Sequence, residues 1–247
     1  MKFCLDTHTH TLVSGHAYST LQEMISLARE KGLELLAITE HAPAMPGTCH
    51  QYYFDNYRVL RDRDQGIRML YGAELNIIDY EGHVDLPESV IKGLDLCIAS
   101  LHLPCCDPGT EEENTNAYIQ AMKNPYIHII GHPDDSRYPI DYVRLVKAAK
   151  EYGIALEVNN SSLSPKSFRA GARENVIAYL KLCKEYEVKV TLGSDAHYCE
   201  DIANFSYAEE ALRAANFPRE LILNTSVDKF MEYLESRSLL FDFTVIK

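Results

Sequence analysis

The chain has 247 residues, 46% of them hydrophobic, and a formal net charge of −12. That balance excludes a disordered polymer and supplies the apolar side chains for a sizeable core. It also argues against a general binder of nucleic acid polymers, which needs a basic stripe to displace counterions, but not against a small anion met by bound dications.

The apolar runs and helical patterns alternate along the chain. A first run covers 2–6. Ser19-Thr20 then caps a helix through Lys31, with Leu21, Met24, Ile25 and Ala28 at helical spacing and Gly32 as the stop. Runs follow at 34–39, 67–73 and 94–100, then a helix at 111–123 and a run at 126–131. A helix over 141–152 carries Val143, Val146, Ala149 and Lys150 and ends at Gly153. A run at 154–158 precedes a helix over 172–187 with Val176, Ile177, Leu180 and Cys183. The last run is 189–193, followed by helices over 207–215 and 227–236. Continuous apolar runs suit parallel strands buried on both faces, and their alternation with helices predicts a parallel sheet. Seven such units in this length favour a closed or nearly closed α/β barrel over an open sheet. An open doubly wound sheet announces itself with a Gly-rich loop after its first strand; here that strand ends in histidines. Nothing marks a domain boundary, so one domain over 1–247 is expected. No segment approaches the ~20 apolar residues of a membrane span. Met1 runs directly into Phe3-Cys4-Leu5-Asp6 without a leader pattern, and the seven cysteines show no CxxC pair. Reduced thiols in a cytoplasmic protein are expected, with Cys4 and Cys97 as small buried hydrophobes.

The chemistry is concentrated at the end of each strand. The first ends in Asp6-Thr7-His8-Thr9-His10, with His16 beyond; the second in Glu40-His41; the third in Glu74, then Asn76. The fourth ends in His102, the fifth in Gly131-His132-Pro133, the sixth in Glu157-Val158-Asn159-Asn160 and the seventh in Gly193-Ser194-Asp195-Ala196-His197. Parallel barrels build their sites at these ends. Imidazole and carboxylate suit first-row dications, and residues two apart on an extended chain share a face, so His8 and His10 reach one ion. Singly each signal is weak: a lone HxH is often a surface pair, Glu74 a solvated charge, Asp195 a helix cap. Together they point to a metal site. His50, in a loop, His83, in a turn, and His128, within a strand, read as structural. One zinc takes about four ligands. Nine candidates therefore imply two or three ions, with Glu74 as the natural bridge.

The ordered set HTH (8–10), His16, EH (40–41), GAE (72–74), His102, GHP (131–133) and GSDAH (193–197) resembles the PHP family, named for polymerase and histidinol phosphatase. The resemblance spans roughly residues 3 to 238 and is closest to small stand-alone bacterial phosphatases. It implies a distorted seven-stranded parallel (β/α)7 TIM-like barrel and a trinuclear zinc site; manganese and iron suit the same ligand types. It assigns His8, His10, Glu74 and Asp195 to one metal, Glu74, His102 and His132 to a second, and His16, His41 and His197 to a third. Asn159 and Asn160 are expected to orient ligands or substrate. One departure is the charged stretch Arg61-Asp62-Arg63-Asp64, where close relatives carry a proline-arginine step, so substrate contacts there are expected to differ.

The implied activity is hydrolysis of a small phosphomonoester by a hydroxide bridging two metals, with Glu74, Asp195 and His197 as catalytic centre. Arg58, or Arg137, is the expected phosphate clamp, and Asp6 and Glu40 are expected partners of ligand imidazoles. Metal-bound water and His50 both stand as proton donors to the leaving group. Three rivals remain. An amidohydrolase often carries a bridging lysine where this chain has Ser100-Leu101-His102. A nuclease-type member acts on phosphodiesters. A binding protein holds metal without turnover, and an open coordination position distinguishes the enzyme from it.

Overall fold

The structure is a computed structural model that describes residues 1–61, 63 and 65–240, without the side chains of 238–240. Asp62 and Asp64 of the charged stretch lie outside the described residues. Seven parallel strands form one sheet in sequence order: β1 (Leu5–Asp6), β2 (Leu35–His41), β3 (Arg68–Asn76), β4 (Cys97–Ser100), β5 (Ile129–Ile130), β6 (Ala155–Asn159) and β7 (Val190–Gly193). Each of the seven apolar runs overlaps a strand; β1, β4, β5 and β7 are shorter than their runs, and β2, β3 and β6 continue past theirs. Before β1, the Cys4 N–H donates to Asn224 O instead of entering a strand ladder.

The helices start and stop on local chemistry. Thr20 and Glu23 form a capping box on α1 (Leu21–Glu30). Two short helices, α2 (Tyr52–Asp55) and α3 (Glu88–Ile91), sit in the second and third crossovers, too brief to show a helical period. Thr110 and Glu113 cap α4 (Glu111–Met122). Asp141 caps α5 (Tyr142–Tyr152), which ends at Gly153 with φ 68°. Then come α6 (Ala172–Tyr186), α7 (Ser206–Ala214) and α8 (Val227–Leu240). None of the described helices is long and apolar enough to cross a membrane.

Side-chain alternation along the strands separates two cores. Leu36, Ile38, Tyr71, Ala73, Cys97, Ala99, Ile130, Leu156 and Leu192 join the large core shared with the helices. Their alternating neighbours Leu35, Ala37, Leu70, Leu96, Ile98, Ile129 and Ala155 fill the barrel's lower interior, where Phe230, Tyr233 and Leu234 of α8 close the end. Cys4 and Cys97 are both buried, and all seven cysteines are free thiols.

β1 and β7 do not form a full ladder. At the upper end a single parallel bridge joins Thr9 to Ala196. Lower down, a residue of the short 3-10 turn Leu223–Thr225 acts as the missing rung. Asn224 Nδ2 donates to Leu5 O at 3.1 Å and Leu192 O at 2.8 Å, and its Oδ1 accepts from Leu192 N at 2.7 Å. The barrel is therefore nearly closed, its lower seam held by this buried amide and by the Thr7 hydroxyl, which bonds Thr191 Oγ1 and Leu192 O. Asn224→Ala removes the side-chain partners of Leu5 O and Leu192 N, while Leu192 O keeps the Thr7 hydroxyl. The substitution is expected to destabilise the fold by about 3 kcal/mol in chemical denaturation, from ~1–3 kcal/mol per unsatisfied group. A loss below ~1 kcal/mol would show that the seam does not depend on this side chain.

Candidate metal centre

The inner face of each strand changes character along its length. On β2 the series Leu35–Ala37–Thr39 ends at His41, and on β3 the series Leu70–Gly72 ends at Glu74 and Asn76. On β4, Leu96 and Ile98 give way to Ser100 and His102, and on β6 Ala155 gives way to Glu157 and Asn159. Apolar residues fill the bottom, and polar groups crown the top at the C-terminal strand ends. His132 breaks the alternation, since Ile129 and Gly131 hold the inward positions. Its backbone lies at φ 26°, a left-handed conformation uncommon outside glycine, and its Nε2 reaches Glu74 Oε1 at 2.8 Å. Asp195, at φ 54°, makes a similar turn after β7.

Glu74 is the hub. It is fully buried, and its two oxygens lie 3.3 Å from His8 Nε2, 3.6 Å from His10 Nε2, 2.7 Å from His41 Nδ1 and 3.2 Å from His102 Nε2. Asp195 Oδ1 lies 3.3 Å from His10 Nε2, 3.7 Å from His8 Nε2 and 3.5 Å from His197 Nδ1. Among the described residues, three groups offer ligand atoms close enough to share an ion: His8, His10 and Glu74; His41, Glu74 and His102; and His10, His41 and His197. The structure thus places His41 against both Glu74 and the His10–His197 pair. His16 meets His197, with their Nε2 atoms 3.0 Å apart.

The far side of each ring fixes where its proton sits. His8 Nδ1 faces Glu157 Oε1 at 2.7 Å, an acceptor only, so it carries the hydrogen. His102 Nδ1 faces Asn76 Oδ1 at 2.7 Å, and that amide is oriented because its Nδ2 donates to Ala42 O and Asp85 Oδ2. His10 Nδ1 bonds Ser14 Oγ at 3.1 Å, while the Ser14 hydroxyl donates to Glu40 Oε2 at 2.6 Å. His197 Nδ1 donates to Asp195 O at 3.0 Å. In the neutral rings this directs the Nε2 lone pairs inward, yet His8 Nε2 and His10 Nε2 stand only 3.0 Å apart. Moreover, the buried atoms His41 Nδ1, Glu74 Oε2 and His102 Nε2 have no hydrogen-bond partner. Converging lone pairs and orphaned buried acceptors repel one another unless a cation lies among them. The donor set therefore fits dications.

The electrostatics agree. Burial would raise the Glu74 carboxyl, but His102, His8 and His41 hold it well below its usual range. Burial likewise opposes Asp195, where His8, His10 and His197 win and keep it ionised. Burial lowers His10 well below normal, aided by His41 and His197, and takes His16 down to about 4. His8 goes the other way: burial opposes its charge, but Glu157, Glu74 and Asp195 raise its pKa well above normal. Metal binding would displace that proton.

Several supporting roles differ from those expected of the sequence. Glu157, expected only as a strand-end residue, orients His8 and accepts the His132 N–H at 2.9 Å. Gly193 makes this possible, because a Cβ there would lie 2.0 Å from Glu157 Oε1. Asn159 donates to Glu157 Oε2 and Asp195 Oδ2, each at 3.2 Å. Asn160 instead caps α7, accepting from Tyr207 N and Ala208 N. Asp6 bonds no imidazole: it accepts backbone N–H groups of Ser194 and Ala203. Glu40 acts on His10 only through Ser14. His128 accepts from Cys97 N inside the barrel wall, and exposed His83 pairs with Asp79.

The histidines open into a cavity of 710 Å³ whose walls include Met45, Leu101, Leu103, Pro104, Phe168, Arg137 and Arg169. Arg58, the expected clamp, is exposed on the turn after α2 and is not among the described residues lining this cavity. His50 is exposed, and its Nδ1 accepts from Tyr52 N. Arg137 does line the cavity but is held bidentately by Asp135. Arg169 is a cavity residue that sequence reasoning misses. Its Nη1 lies 2.8 Å from Ser162 Oγ and 3.5 Å from Asp195 Oδ2, beside the centre. It lies in an irregular loop without a strand-end signature, and a sequence offers no cue to it.

Glu157→Gln removes the charge that fixes the His8 ring while keeping its volume. Loss of such an outer partner typically weakens metal binding about 10–100-fold. That result is expected in a zinc competition titration, with a cooperative melting curve retained. Unaltered affinity would show that His8 needs no such support.

The model of the PHP domain family matches residues 6–161. A probable phosphatase of Clostridium novyi is 49% identical over 245 residues, 99% of this chain and 100% of that one. A probable phosphatase of Thermoanaerobacter sp. is 48% identical over 238 residues, 96% of each chain. Among solved structures, the histidinol phosphate phosphatase of Lactococcus lactis, complexed with zinc, L-histidinol and phosphate, aligns with a TM-score of 0.60. It is 20% identical, and the alignment covers 87% of this chain and 94% of that one, a likeness of fold. A family model that spans well over half of the chain, together with relatives nearly half identical along their whole length, establishes that this protein belongs to the PHP domain family.

Proposed function

We propose that this chain is a metal-dependent phosphatase that releases phosphate from a small phosphomonoester. The observation that carries the reading is the set of inward lone pairs around Glu74, orphaned in the protein alone, at the floor of a cavity whose wall holds Arg169. The names of the whole-length relatives, probable phosphatases, support it. So does the cavity's volume, which suits a small molecule and not a polymer.

His8, His10, Glu74 and Asp195 would hold one ion, and Glu74, His102 and His132 a second. His197, with His41 and His16, would hold a third. Zinc suits the donors, as do manganese and iron. Bound dications lower the pKa of water toward neutrality and withdraw charge from phosphoryl oxygens. The protein's own part is orientation and electrostatics. Glu157, Asn76, Ser14 and the Asp195 carbonyl hold the imidazoles with Nε2 inward. Glu74 and Asp195 stay ionised in a buried site, so they need no deprotonation before binding cations. Arg169 offers donors to a phosphoryl oxygen from the cavity wall, the role expected of Arg58. Leu101, Leu103, Pro104 and Phe168 form an apolar wall for the ester group.

The test is a panel of phosphomonoesters and phosphodiesters, read by phosphate release with metal content measured on each sample. Monoester turnover is expected, abolished by chelation. Glu74→Ala is expected to lose bound metal and to lower kcat/KM by roughly 10³-fold, the several kcal/mol that metal ions supply. Full metal content in that variant would reject the bridging role of Glu74. Bound metal without phosphate release from any ester in the wild type would reject the phosphatase reading.

A further inference from the structure

After β3 the chain leaves Asn76, turns, and comes straight back to it. Asp79 Oδ1 accepts from Glu81 N and His83 N, and Gly82 at φ 77° completes the turn, packed too close to Ala121 N to admit a Cβ. Ile77 and Val84 then pair antiparallel, and the next residue, Asp85, donates its N–H to Asn76 O at 3.2 Å. Three N–H donors point at the Asp85 carboxylate. Oδ1 accepts from Asn76 N at 2.9 Å, and Oδ2 accepts from Asn76 Nδ2 and from Ala44 N, each at 2.7 Å.

Asn76 is fully buried, and its Oδ1 faces His102 Nδ1 at 2.7 Å. A side-chain amide fits the same space in two orientations that exchange its oxygen and its NH2. The exchanged one would set Oδ1 against Ala42 O and Asp85 Oδ2, which now accept from Nδ2, and turn the NH2 toward His102 Nδ1. His102 would then carry its proton on Nε2, the atom 3.2 Å from Glu74 Oε1, with no lone pair left there for an ion. Two acceptors oppose this exchange, and Asp85 governs both. It supplies one of them, and through Ala44 N it pins the turn at 42–45 that presents the other.

We infer that Asp85 is a positioning residue for the proposed metal ligand His102: it locks the Asn76 amide in the orientation that keeps the His102 proton on Nδ1 and the Nε2 lone pair toward the cations. The same carboxylate ties that ligand to the cavity wall, because Met45, which lines the cavity, closes the turn that Ala44 anchors. Asp85 is not among the described residues lining the cavity, so its part is not contact with substrate. The inference rests on the reading of His102 as a metal ligand.

The experiment uses the full chain at pH 8 as wild type, Asp85→Ala, Asn76→Ala and the double variant. It reads the ring-nitrogen chemical shifts of His102 in metal-free chain, and zinc affinity by competition titration. Wild type is expected to carry the His102 proton on Nδ1, and Asp85→Ala to show a population with it on Nε2. Asp85→Ala is expected to weaken zinc about 10-fold, the low end for loss of an outer partner. The double variant is expected to bind zinc as Asn76→Ala does, within about twofold, because both changes break one relay. An unchanged tautomer in Asp85→Ala, an unchanged zinc affinity, or additive losses in the double variant would each overturn the inference. A merely structural role would lower the melting temperature and leave the ring tautomer in place. Should Asp85→Ala fail to fold, Asp85→Asn enters the same cycle: its single oxygen cannot serve both donors of Asn76, and wild-type tautomer and affinity there would overturn the inference. The tautomer is read without metal, so a wild type that takes up no zinc would reject the metal centre and still leave Asp85 tested. Neither readout uses ester turnover, whose absence would sink the phosphatase reading alone.

Discussion

His8 Nε2 and His10 Nε2 lie 3.0 Å apart while an outside partner holds the proton on the far nitrogen of each ring. Without metal one of the facing nitrogens must therefore take up a further proton, and the carboxylates around His8 favour it there. This constraint between His8 and His10 organises the molecule. Every outer contact keeps the inward nitrogens where they are: Glu157 on His8, Ser14 and Glu40 on His10, Asn76 on His102, a carbonyl on His197. Such an arrangement costs folding free energy in the protein alone and is offset when cations bind. Some stability is given up for a preformed site.

The barrel tolerates that cost by separating the two tasks along each strand. The lower half of the lumen is apolar and sealed by α8, whose Arg237 donates to carbonyls of Ile127 and Asn124 at the base of the sheet. The upper half is polar and convergent. The weakest place in the sheet, between β1 and β7, lies directly below His8 and Asp195. There Asn224 replaces strand pairing, and higher up the Asp195 N–H donates to His8 O. The two strands that carry the central ligands are thus joined by discrete contacts, and the site depends on the integrity of that seam.

Much of this was legible in the residues. The alternation of apolar runs and helical patterns gave the strand count, and the types of residue ending each run gave the histidines and carboxylates, because local periodicity sets both. What escaped was set by packing at long range. The α2 and α3 segments are too short for a period to show. Asn160 looked like a site residue from its place after β6, but the chain turns there and its side chain caps α7. Asp6 looked like an imidazole partner, yet it ties down the β7 exit through backbone groups. Arg58 sits on an exposed turn and is not among the described residues that line the cavity. Arg169 reaches it only because the irregular chain after β6 folds back over Asp195, and no spacing in the sequence encodes that return.

Cations resolving the repulsion around Glu74 are central to this picture of the site, and the most direct test is to titrate metal-free chain with zinc in a calorimeter. The expected stoichiometry is about two to three ions per chain, given about four ligands per ion and one shared carboxylate, with protons released as the ligand imidazoles give them up. A chain that takes up less than one ion, or that binds zinc unchanged when Glu74 is replaced, would contradict it.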